Sequence, residues 1–88
     1  RLDLLHLGVA LAVLLAEQGR IRELKLLAAE LVTVFRSLGV AREAFAALTI
    51  FERFAQAEAV TLSLLARLSH YFARVRSQPD LRFDPNSQ

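Results

Sequence analysis

Cysteine, methionine and tryptophan are all missing from this chain of 88 residues, glycine occurs three times and proline twice. Without cysteine there is no disulfide framework and no thiolate nucleophile or metal ligand. That lack fits a reducing compartment, and the cytoplasm is the expected location. Three widely separated glycines cannot form a phosphate-cradling loop. A surplus of one charge is also missing: 11 basic against 9 acidic residues leave a net charge of +2, and the basic residues are spread over every segment. Such a distribution gives no footprint for nucleic acid, and none is expected as a partner. The longest hydrophobic run, residues 4–16, contains His6 and Gly8 and is stopped by Glu17, Gln18, Gly19 and Arg20. It falls short of the ~20 apolar residues needed to cross a bilayer. It also lacks the basic leader and small-residue cleavage site of a signal peptide. A buried helix is the expectation, with no membrane contact. A start at Arg1 and the lack of methionine suggest a piece of a longer polypeptide.

Apolar residues are plentiful, at 55% of the chain against roughly 45–50% in an average soluble protein. A domain this short takes only roughly 60–65% of its unfolded surface out of water. The surplus therefore implies helices buried on two sides, or an apolar face left over for a partner, another subunit or a further part of the same polypeptide.

The apolar periodicity is helical throughout. A first helix is predicted over Leu2–Glu17, with Leu4, Leu5, Val9, Ala12, Val13 and Ala16 apolar around most of its circumference, which implies burial on more than one side. Gly19 ends it. A second helix over Ile21–Leu38 carries the stripe Ile21, Leu24, Ala28, Leu31, Phe35 and Leu38, and Gly39 stops it. A third begins near Ala41, with Ala44, Ala47, Leu48, Phe51, Phe54 and Ala55 on its seam and Phe45 and Ile50 beside it, so a central position is expected. No glycine or proline separates it from the last helix. A bend near residues 58–60 is predicted all the same, because Val60 and Thr61 are β-branched, Thr61 and Ser63 suit a helix start, and a helix of over thirty residues is rare in a small domain. The last helix, over 60–77, turns Leu64, Leu65, Leu68, Tyr71, Phe72 and Val75 inward, and Pro79 forbids its continuation. The chain divides into a helical domain, 1–77, and a tail, 78–88. The tail is anchored by Leu81 and Phe83 and frays from Pro85 through Asn86 and Ser87.

No residue set demands chemistry. His6 and His70 each lack ligand-spaced companions, and a metal site usually needs three or four ligands. No base stands near Ser37, Ser63 or Ser69, and no glycine elbow presents them. The chain reads as a non-enzyme without metal or cofactor. Arg67, His70 and Arg74 share one face of the last helix, with Arg76 beside them and Arg82 in the tail. They read either as cations placed against the helix dipole or as a docking patch for phosphate or an acidic partner. The turn at Gly39 and Val40 also has the outline of a helix-turn-helix. The helix after it, however, spends its face on Phe45, Leu48 and Phe51 rather than on base-reading polar groups.

The run over residues 14–30, with Ala16, Glu17, Gln18, Gly19, Arg20, Glu23, Leu24, Lys25, Leu27 and Ala28, resembles a tetratricopeptide-type helical hairpin. The segment that follows, Phe35, Arg36, Ser37, Leu38, Gly39, Val40, Arg42, Glu43, Ala44 and Ala46 to Leu48, is similar to the divergent tetratricopeptide-like domain at the C-terminal end of many bacterial regulatory or uncharacterised proteins. Gly19 matches the glycine between paired helices, Ile21 the large residue opening the second helix, Leu24 and Ala28 its inner contacts, and Ala12 the small residue where the two helices approach. The departures are a longer second helix, Leu24 in place of the usual alanine, no closing proline, and no turn glycine in the second hairpin. The resemblance implies antiparallel hairpins, about four helices in all, stacked into an all-α array with a concave groove. That groove would be lined by His6, Val9, Val13 and Ala16 from the first helix and by Phe45, Leu48, Glu52 and Gln56 from the third. It would take a short amphipathic segment of a partner protein. The expected function is a non-catalytic interaction module. The alternative is a structural subunit that homo-oligomerises, or docks on a larger or membrane-associated complex, through its surplus apolar face. An auxiliary domain of a transcription regulator is a third possibility, dependent on what precedes Arg1.

Overall fold

A computed structural model describes residues 2–75, 77–78 and 80–85. The expectations for Arg76, for Pro79 as a helix stop and for fraying at Asn86 and Ser87 lie outside the described residues. The fold is all-α. Among the described residues four helices follow one another: α1 (Leu2–Glu17), α2 (Ile21–Leu38), α3 (Arg42–Gln56) and α4 (Leu62–Val75).

Gly19 closes α1 in the left-handed region at φ 69°. Its N–H donates to the Ala16 carbonyl at 3.1 Å, and that of Arg20 donates to the Leu15 carbonyl at 2.9 Å. This pair of bonds is a Schellman cap, which satisfies carbonyls that a bare helix end would leave open. Gly39 caps α2 at φ 70°. The predicted bend after α3 is present and uses the same device without glycine. Glu58 takes φ 56°, its N–H donates to the Ala55 carbonyl at 3.0 Å, and the Ala59 N–H donates to the Phe54 carbonyl at 2.8 Å. Thr61 then starts α4, its Oγ1 accepting from the Leu64 N–H at 3.0 Å.

The helices form a ring. α1 lies against α2 and α4, α2 lies against α3, and α3 touches α4 lightly, while α1 and α3 make no close approach among the described residues. The broadest seam joins α2 to α3. α3 therefore leans mainly on one neighbour and is not the central helix its composition suggested. Inside the ring Leu5, Phe35, Phe51, Leu65 and Phe72 are at most 1% exposed. Among the described residues no charged side chain is buried, and Tyr71 is the one buried side chain that carries a polar group. Burying groups of this size stabilises by about 1.5–3 kcal/mol each, which is what holds so short a chain together.

The α1–α2 seam closes at Gly8. A Cβ added there would lie 2.8 Å and 3.0 Å from the two methyl carbons of Leu31. Gly8 is thus a point of close helix approach, and Ala12, one turn further on, is buried in the core. Residues 80–85 double back along α4, with Leu81 and Phe83 half-buried against the core. The Phe83 ring meets Tyr71 edge to face at 5.5 Å, and the Tyr71 hydroxyl donates to the Leu81 carbonyl at 2.7 Å.

Candidate functional site

The implied groove is not formed. Val9 and Leu48 are 3% and 0% exposed, both in the core. Phe45 lies against α2, where the Arg36 guanidinium stands 5.5 Å from its ring centroid. His6, Val13, Ala16 and Glu52 are half-buried and Gln56 is exposed. The physical reason is the ring. A shared groove needs α1 and α3 side by side, and here they occupy opposite corners.

What the ring leaves outside is a leucine face. Leu5, Val9, Ala12 and Leu15 carry α1's packing, whereas Leu4, Leu7, Leu11 and Leu14 are 50%, 66%, 45% and 53% exposed. The expectation that α1 is buried on more than one side is therefore corrected: one side is core and the other is bare. The four exposed leucines recur at intervals of three, four and three residues, the spacing of a seam that receives a facing helix.

Helix geometry places this stripe beside α2. Leu4 and Leu11 stand one turn to either side of Gly8, and Leu27 and Val34 stand one turn to either side of Leu31, its contact across the seam. The other residues one turn away, Leu5 and Ala12 on α1 and Ala28 and Phe35 on α2, are buried in the core. Leu4, Leu11, Leu27 and Val34 therefore border the outer edge of the seam. Leu27 is half-buried and Val34 is 47% exposed. Two exposed carboxylates rim this surface: Glu17, three residues after Leu14, and Glu30, between Leu27 and Val34. Neither forms an ion pair among the described residues.

The predicted basic patch lies elsewhere, where α4 meets the tail. Arg67, His70 and Arg74 line an open cavity of ≈ 480 Å³ together with Tyr71, Arg82 and Phe83. Arg67 donates to the Pro85 carbonyl, Arg74 reaches Gln78 Oε1 at 3.4 Å, and Arg82 Nε lies 3.6 Å from Glu43 Oε2. Burial, with a smaller contribution from the Glu43 charge, pushes the Tyr71 hydroxyl up to about 12.

At the α1–α2 turn Arg20 Nε donates to Glu23 Oε1 at 2.7 Å, and that hydrogen bond lowers the Glu23 carboxyl pKa. Lys25 donates to Glu58 Oε2 at 2.6 Å, and through that bond and its charge lowers Glu58. These are solvated pairs without catalytic geometry. No cluster of three or more potential metal-binding side chains occurs among the described residues, and no helix among them is long and apolar enough to cross a membrane. No family model, curated protein or solved structure matches the chain.

Proposed function

We propose that the chain is a non-catalytic interaction module whose outer α1–α2 face receives an amphipathic helix of a partner protein carrying basic residues beside its apolar stripe. The observation that carries this reading is the exposure of Leu4, Leu7, Leu11 and Leu14 in one line, since small monomeric domains seldom leave so continuous an apolar surface in water. A facing helix would fill the stripe in the manner of other helix-in-groove contacts.

Magnitudes support a reversible contact. The four leucines together expose about two whole side chains, worth roughly 3–6 kcal/mol when covered. The apolar stripe of the incoming helix adds a comparable amount, and association costs about 4–15 kcal/mol. At the most favourable end of these ranges the net gain is about 8 kcal/mol, so the complex is roughly micromolar at its tightest and not nanomolar. The carboxylates of Glu17 and Glu30 choose the partner: they attract lysine or arginine flanks and oppose a second acidic rim.

The leucine spacing alone also suits a second copy of this chain, packed α1 to α1, so the test separates the two. A labelled synthetic helix with leucines at three-and-four spacing and lysine flanks should bind saturably, with a Kd no tighter than micromolar, by fluorescence anisotropy. Binding should weaken at least about 10-fold in the Leu7→Gln, Leu11→Gln double variant, and the unliganded chain should sediment as a monomer. A stable dimer dispersed by the same substitutions would instead assign the face to self-association. A monomer that ignores the helix would refute both.

A further inference from the structure

Between α4 and the tail, away from the leucine face, three arginines converge on one concavity. A preference of cations for a helix C-terminus accounts for Arg74, in the last turn of α4. It does not account for Arg67, two turns earlier, or for Arg82, which the tail brings back to the same opening. Each guanidinium carries five N–H donors, and the described residues use few of them: among those residues Arg67 serves the Pro85 carbonyl, Arg74 has one long contact to Gln78, and Arg82 has one to Glu43 with its own side chain 88% exposed. Asp84 is the one carboxylate on the described lining, so the arginines outnumber it three to one.

Apart from Ser63 and His70 the rest of the lining is apolar, and its aromatic part is already ordered. Tyr71, itself only 5% exposed, and the half-buried Phe83 meet edge to face, and the Tyr71 hydroxyl is occupied by the Leu81 carbonyl. Their rings are therefore held in place before anything binds. A cavity of ≈ 480 Å³ falls within the ~300–1,000 Å³ of small-molecule sites. Planar guanidinium groups and aromatic rings lining one cavity match an oxyanion joined to a flat apolar body, with the anion taken by the arginines and the body laid against the rings.

We infer that the α4–tail cavity is a binding site for a small organic anion, with Arg67, Arg74 and Arg82 holding the phosphate or carboxylate and Tyr71 and Phe83 contacting the apolar part. The inference is independent of the partner-helix reading, because no residue of one surface belongs to the other.

The probe is phenyl phosphate, titrated into the 15N-labelled chain, with inorganic phosphate and phenol as controls. Phenyl phosphate should shift the amides of Ser63, Arg67, His70, Arg74 and Phe83 saturably, at concentrations where neither control does. Arg74→Gln and Arg82→Gln, both at exposed positions, should each raise its Kd about 10-fold while leaving helicity intact, and Lys25→Gln should change nothing. No saturable shift, equal binding of inorganic phosphate, or indifference to both arginine substitutions would overturn the site.

Discussion

Glu58 carries a left-handed backbone that residues with a Cβ seldom adopt, and it does so at the cap on which the α3–α4 connection turns. Its exposed contact with Lys25 contributes little against that strain. Glu58→Gly is therefore expected to raise the thermal midpoint by a few degrees, and a scan of the variant against wild type checks it. An unchanged or lowered midpoint would mean that the Lys25 pair matters more than the backbone. This residue was not legible in the sequence, since a glutamate gives no compositional sign of a left-handed turn, whereas Gly19 and Gly39 do. Gly8 was missed for a related reason: inside a helical pattern nothing marks a glycine as the place where a neighbouring leucine enters. Tyr71 is the single tyrosine, so its phenolate absorbance can be read without overlap. The native midpoint is expected near 12, falling to about 10 in denaturant. A native midpoint at the denatured value would contradict the burial of the ring.

Among the elements, α1 separates what periodicity can and cannot establish. Its apolar circumference was plain, and so was the conclusion that more than one face wants cover. Which face the chain itself covers depends on the ring order of the helices, a long-range property absent from any local pattern. The two faces should respond differently to substitution. Phe51→Ala, deep in the shared core at 0% exposure, should cost about 3–5 kcal/mol and unfold so small a domain, as followed by denaturant titration. Leu7→Gln with Leu11→Gln should move the midpoint little, because these side chains already meet solvent. A collapse of the double variant would place the leucines in the core after all.

At the scale of the whole molecule, closure of the ring is what removes the groove that the hairpin resemblance implied and exposes another surface in its place. The four helices and most of their inward residues followed from spacing and turn formers. The position of the candidate interface did not, because it is defined by what no helix of the chain covers. The folded structure also sets the pH response. The Glu23 and Glu58 carboxyls are lowered in the fold. Their contribution is therefore present above the ordinary glutamate value of about 4.3 and is lost as pH falls through the native values. Tyr71 is raised, so its contribution holds below about 10 and is lost as pH climbs toward about 12. Melting midpoints should thus decline at both ends, and Tyr71→Phe should remove the tyrosine's part of the alkaline decline. The central claim, that the outer leucines receive a helix, is tested most directly by mapping amide shifts on addition of the lysine-flanked amphipathic peptide. The account predicts that the shifts concentrate along residues 4–14 and 27–34 and leave α3 unchanged; shifts confined to α3 and α4, or no saturable shift at all, would contradict it.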